Sequence, residues 1–135
     1  MRNTSDSVSA LKIKLLEIQY LRDAAALLSW DQETYMPKGG LEPRSEQLAL
    51  LSQCKHERHT SKPFKSLLSP FVELETGQVT YPGTPQERAL LKQVYRDWYL
   101  ACALPTPFIA AYAALKSKAQ YHWQQAKHNN DFEIF

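Results

Sequence analysis

The segment His56-Glu57-Arg58-His59 is the one whose residue types come nearest to metal chemistry. A zinc peptidase helix carries HExxH: two imidazoles at i and i+4 face one metal, and the glutamate activates a water. Here the second histidine arrives one residue early. Histidines at i and i+3 of a helix can still share a metal, but this stretch is polar and near the end of its element. A surface histidine pair is the plainer reading. His122 and His128 lie on one later helix and point to different faces, which favours a packed or surface role for each. No metal ligand set is assigned in this chain.

A second concentration of reactive groups is Trp30-Asp31-Gln32-Glu33-Thr34-Tyr35-Met36, where carboxylates sit beside an indole at the end of an apolar helix. Burial that raised one carboxylate pKa would make it an acid-base group. The competing reading is structural: Asp31 and Thr34 brace a turn and Trp30 supplies core area. Trp30, Asp31, Glu33, Thr34, Tyr35 and Met36 are therefore candidates either for a substrate groove or for a structural motif. Arg22 and Arg44 are the cations available to pair with these acids. The chain has no glycine-rich phosphate loop, no GxSxG elbow and no Cys/His pair with a third member. No catalytic residue is assigned, and on its own chemistry the segment is not a self-sufficient enzyme.

These groups depend on helices. Val8, Leu11, Leu15, Ile18, Leu21, Ala25 and Leu28 recur at three- and four-residue steps, predicting a long helix that starts near Ser5 or Asp6. Its far end, Ala24 to Trp30, is apolar almost all round, so burial in a packed assembly is expected. Met36-Pro37-Lys38-Gly39-Gly40 breaks it. A second helix starts near Leu41 to Pro43 and fades at His59; a shorter apolar segment from Lys62 is expected to kink or split at Pro70. Gly77 to Gly83 reads as a loop, and Thr84-Pro85-Gln86-Glu87 as a capping box that starts a helix carrying Leu90, Leu91, Val94, Tyr95, Trp98 and Cys102. Pro105-Thr106-Pro107 opens the last helix. There Ile109, Tyr112, Ala113, Lys116, Ala119, Trp123 and Ala126 share a face up to Asn129. Tyr20, Tyr35, Tyr95, Trp98, Tyr112, Tyr121 and Trp123 are expected in the core. The class is all-α, with long antiparallel helices joined by short loops.

At 135 residues the chain has the length of one domain, taken here as residues 1–135. Hydrophobic residues make up 44%, enough for a core, which excludes the disordered class. Sixteen Lys and Arg against fourteen Asp and Glu leave +2, with signs alternating along the chain. No stripe tracks phosphates, so nucleic acid is not an expected partner. Cys54 and Cys102 lack a CxxC spacing and are expected as buried reduced thiols in a reducing cytoplasm. No signal-peptide core and no run of about 20 apolar residues is present, so a soluble protein without a membrane partner is expected.

The string Leu21-Arg22-Asp23-Ala24-Ala25-Ala26-Leu27-Leu28-Ser29-Trp30-Asp31-Gln32-Glu33-Thr34-Tyr35-Met36-Pro37-Lys38-Gly39-Gly40 resembles the amino-terminal region of the thermostable carboxypeptidase Taq family of zinc metallocarboxypeptidases. Arg44-Ser45-Glu46-Gln47-Leu48, Leu51-Ser52, His56-Glu57, Thr60, Arg96-Asp97, Pro105, and Trp123 through Ala126 to Asn130-Asp131-Phe132 and Phe135 follow the family's order. The resemblance spans nearly the whole chain and is weakest at residues 1–15 and 61–85. It implies a several-fold longer helical enzyme with a groove above a zinc-binding HExxH helix and a downstream glutamate ligand. Such enzymes release single residues from peptide carboxyl termini through a metal-polarised water, with zinc or cobalt as the metal and a homo-oligomer as the usual state. None of the ligand residues is in this sequence. The family's His-Pro-Phe motif is missing as well, since Lys62-Pro63-Phe64 lacks the histidine.

The resemblance thus implies the amino-terminal helical part of a larger metallopeptidase fold. This part walls or covers the substrate groove, is inactive alone and binds no metal itself. The alternative is a stand-alone, non-catalytic helical module that binds a protein partner through its apolar faces. The chain's finish at Asp131-Phe132-Glu133-Ile134-Phe135, apolar and without a cap, favours the first expectation. Sequencing the coding DNA past the codon for Phe135 separates the two: an open frame running on to HExxH is expected, and a stop codon there selects the module.

Overall fold

The structure, a computed structural model, describes residues 4–134, with side chains from Asp6 onward. It is all-α, with five helices among the described residues: α1 (Thr4–Thr34), α2 (Leu41–His59), α3 (Lys62–Leu68), α4 (Pro85–Cys102) and α5 (Thr106–Asn129). A single 3-10 turn, Lys38–Gly40, leads directly into α2. The helix boundaries follow the sequence signals closely. α1 already includes Ser5 and Asp6, with Asp6 in its first turn, so neither is the cap expected from the sequence; the finish at Phe135 falls outside the described residues. Among the described residues no single helix is long and apolar enough to cross a membrane. The chain divides into two compact units, and α1 and α2 each contribute to both.

The first unit comprises Met1–Ile18 and His56–Pro105. Its core is Leu11 of α1, Phe64 and Leu68 of α3, Phe71, Val72, and Leu91, Val94 and Trp98 of α4. α3 is short because its ends are chemically marked. The Ser61 hydroxyl accepts from the Phe64 amide at 3.2 Å, Pro63 occupies the first turn, and the helix stops at Leu68, two residues before Pro70. Pro70 thus terminates α3 instead of kinking it. The following loop folds back through a single antiparallel bridge between Val72 and Val79, seating the Phe71 ring edge-on to Tyr81 at 5.4 Å. Gly77 turns this loop at φ 75°, and a Cβ there would lie 2.5 Å from the Tyr95 ring, so both backbone and space call for glycine. α4 then starts at the expected capping box. The Glu87 amide donates to the Thr84 hydroxyl at 3.2 Å, and the Thr84 amide donates to the Glu87 carboxylate at 2.8 Å.

The second unit comprises Gln19–Lys55 and Thr106–Phe135. Here several aromatics expected in the core are exposed, and this segment by itself does not enclose the Ala24 to Trp30 run. In the Ala24 to Trp30 run, Leu27 is 63% and Trp30 55% exposed. Tyr20, Tyr35, Tyr112 and Trp123 are also exposed, while Trp98 of the first unit is buried as expected and Tyr95 and Tyr121 are half-buried. α5 buries Ser117 and Ala126; of the face expected from spacing, Ala126 is buried and Ile109 and Ala113 are half-buried, whereas Tyr112, Lys116, Ala119 and Trp123 are exposed. The reason is geometric: a helix that is apolar on two sides can satisfy only one of them with the neighbours this chain provides. On α5 the inward side includes Ser117, whose hydrogen bonds are described below, as well as the apolar Ala126.

Neither cysteine is in a disulfide; Cys54 is half-buried and Cys102 exposed, which corrects the expectation that both are buried. Cys102 is the last residue of α4, one turn past the core residue Trp98. Partial desolvation still pushes its thiol pKa up, with Lys65 opposing the shift.

The core and the cap differ in weight. Leu68→Ala, at a fully buried side chain, is expected to lower stability by about 2–5 kcal/mol. Thr84→Ala, which removes half of the capping box, should cost about 1 kcal/mol, and urea denaturation of the two variants should rank them in that order.

Candidate functional site

In the second unit α1, α2 and α5 surround a cleft of about 340 Å³, and each pair of these helices is joined by one polar clasp. Arg44, early in α2, makes the first. Its Nη2 donates to Asp31 Oδ2 at 2.6 Å and its Nη1 donates to the Leu28 carbonyl at 2.6 Å, so one guanidinium grips both a side chain and the backbone of α1. The 3-10 turn places Arg44 there by starting α2 immediately after the Met36-Pro37 break. Gly40 lies tightly under Met36, where a Cβ would come 2.8 Å from Cγ. The second clasp joins α1 to α5: Gln32 Nε2 donates to the Ser117 carbonyl at 2.9 Å, and the Ser117 hydroxyl donates to Gln32 Oε1 at 2.6 Å. Both residues are buried, and each answers the other's polar group, as burial requires.

The third clasp joins α5 to α2 and lies in the open: Lys118 Nζ stands 2.9 Å from Glu42 Oε2. The Glu42 hydrogen bond and charge raise the Lys118 pKa above its ordinary value. Because the folded-state pKa is raised, this contribution is fully present below the ordinary lysine value of about 10.4 and is lost as pH rises through the raised one. As an exposed pair it adds little to stability.

The candidate residues separate in the structure. Asp31 is half-buried and engaged by Arg44; Glu33 lines the cleft. The Thr34 hydroxyl donates to the Trp30 carbonyl at 2.8 Å, and the Met36 amide donates to the Asp31 carbonyl at 2.9 Å, both closing the end of α1. Trp30 and Tyr35 are exposed and lie edge to face with centroids 5.7 Å apart. Of the two arginines proposed as partners for the acids, Arg44 takes Asp31, and Arg22 lines the cleft. Sequence reasoning missed Gln32 and Ser117. The only local signal was a glutamine at a position where α1 should be inward-facing; its partner lies 85 residues away.

His56 and His59 are not a surface pair. His56 is buried, with Nε2 2.9 Å from the Ala101 carbonyl, and the His59 ring sits edge-on to Phe64 at 5.0 Å. The end of α2 is covered by α4 and α3, which the polar local sequence did not reveal. Among the described residues no group of three or more His, Cys, Asp or Glu side chains could hold a metal ion.

A family model described as carboxypeptidase Taq (M32) metallopeptidase matches residues 10–135. The chain belongs to that family. Among curated relatives, this M32 chain is 30% identical over 126 residues to thermostable carboxypeptidase 1 of Thermus thermophilus, covering 90% of the chain and 24% of the relative. It is 31% identical over 121 residues to carboxypeptidase 1 of Bacillus subtilis, covering 90% and 23%. To thermostable carboxypeptidase 1 of Pyrococcus furiosus it is 28% identical, covering 97% and 25%. A crystal structure described as BsuCP superposes with a TM-score of 0.84 at 25% identity, covering 96% of this chain and 25% of that one. The chain thus spans about a quarter of the length of the M32 relatives it matches. The family is one of metallopeptidases, and the described residues of this segment do not form a site that fits the metal.

Arg44→Ala removes the donor shared by the Leu28 carbonyl and the Asp31 carboxylate. A loss of about 1–3 kcal/mol is expected. Asp31→Asn keeps an acceptor for Arg44 and should cost less, and thermal denaturation of both variants checks the order.

Proposed function

We propose that this chain is the amino-terminal helical segment of a zinc- or cobalt-dependent carboxypeptidase that releases single residues from the carboxyl termini of peptides. One observation carries the reading: almost the whole chain matches one quarter of M32 carboxypeptidases, in sequence and in fold. The metal, its ligands and the general base belong to the remaining three-quarters. This segment walls or covers the substrate groove and is inactive alone. Its outward apolar side chains, Leu27 and Trp30 of α1 and Phe108, Tyr112 and Leu115 of α5, support a place within a larger body, since monomeric surfaces seldom expose such runs. The same reading takes peptides as substrates, a homo-oligomer as the working assembly and the cytoplasm as its location.

The test is direct. The purified chain, supplied with zinc or cobalt, is expected to release no carboxyl-terminal amino acid from an amino-blocked dipeptide. Sustained turnover that a chelator abolishes would overturn the assignment of catalysis to the absent part.

A further inference from the structure

The cleft of the second unit contains charge that its clasps do not use. Asp31, Glu42, Arg44 and Lys118 are engaged with one another, whereas Arg22, Glu33 and Lys116 line the cleft and take part in no ion pair among the described residues. Two cations and one carboxylate are thus held around a volume of about 340 Å³, within the range of small-molecule sites. Their order along the cleft is set by helix geometry. Arg22 and Glu33 lie three turns apart on α1, about 16 Å at 1.5 Å per residue, and about 20° from the same direction at 100° per residue. Between them the α1 wall is Ala25, Ala26 and Ser29, small residues that keep the cleft open, followed by Gln32 next to Glu33. Lys116 precedes Ser117, which is pinned to Gln32, so it stands toward the Glu33 end and leaves the cleft as a whole net positive.

We infer that this cleft binds a short zwitterionic peptide, a dipeptide or tripeptide, with its terminal carboxylate on Arg22 and its terminal ammonium on Glu33. An extended peptide of two or three residues measures roughly 7–11 Å, which fits a 16 Å span once the Arg22 and Glu33 side chains reach inward. A free amino acid is too short to meet both groups. The guanidinium is suited to the carboxylate because it can donate two parallel hydrogen bonds. Lys116, at the Glu33 end, competes with the ligand's ammonium for that carboxylate, so the carboxylate on Arg22 is the more strongly recognised end. Choosing a peptide among zwitterions of this length rests on the carboxypeptidase reading.

Binding is measured on the 135-residue chain without turnover, by following backbone amide resonances of residues 22–33 and 113–120 during titration with alanyl-alanine, its carboxyl-amidated form and its amino-acetylated form at millimolar concentrations. The free dipeptide is expected to shift these resonances saturably. Amidation should weaken binding about tenfold or more, and acetylation should weaken it less. Arg22→Gln should abolish the distinction between free and amidated ligand, and Glu33→Gln that between free and acetylated ligand. Equal shifts from all three ligands, or none from the free dipeptide, would overturn the site while leaving the carboxypeptidase reading intact. Chelator-sensitive turnover by this chain would overturn that reading and leave the binding result standing.

Discussion

The grip of Arg44 on α1 is the interaction on which the second unit turns. One guanidinium holds the Asp31 carboxylate and the Leu28 carbonyl together, at 2.6 Å each. The direction of α2 is therefore set against the backbone of α1 as well as against a side chain. A lysine could not do this, because its ammonium is a compact charge without the fork that reaches two acceptors in fixed geometry. The Met36-Pro37 break and the 3-10 turn put Arg44 within reach, and Gly40 allows the turn to close under Met36.

The other two clasps complete the triangle at different depths. Gln32 and Ser117 are buried and mutually satisfied, and removing either would strand the other in an apolar setting, where an unpaired polar group costs about 1–3 kcal/mol. Lys118 and Glu42 are solvated and contribute alignment more than energy. Apolar packing alone would let three helices slide past one another, since methyl groups fit many registers. Directional bonds, one set per helix pair, hold a single arrangement and a defined cleft. The first unit works differently: Phe64, Leu68, Phe71 and Val72 are almost completely enclosed, and its polar bonds serve chiefly as caps and turns.

The outward apolar side chains follow from the same arithmetic of surfaces. α1 carries Val8, Leu11 and Leu15 on one side and Ile13, Leu16, Tyr20, Leu27 and Trp30 on another, and in this chain the second set is exposed. The M32 relatives are about four times as long. A helix apolar on both sides suits the interior of such a molecule better than the surface of a 135-residue one.

By itself the sequence determined the helices, because their signals are local. Proline at Pro37, Pro63, Pro70 and Pro85, the Thr84 to Glu87 box and three- to four-residue apolar spacing act within a few residues of where they stand, and the observed boundaries follow them. The WDQETYMP block likewise pointed to the family. Burial and partnership were decided only by the tertiary structure. Whether Trp30 was core or surface, whether His56 was solvated or bonded to the Ala101 carbonyl, and which side of α5 turned inward all depended on residues far away in sequence. Asp31 illustrates the division: its place at the end of a helix was legible, but that Arg44 and not Arg22 would take it was not. A hydrogen bond such as Gln32 to Ser117 leaves no trace in either residue's neighbours, because its partner is supplied by the fold and not by the local chain.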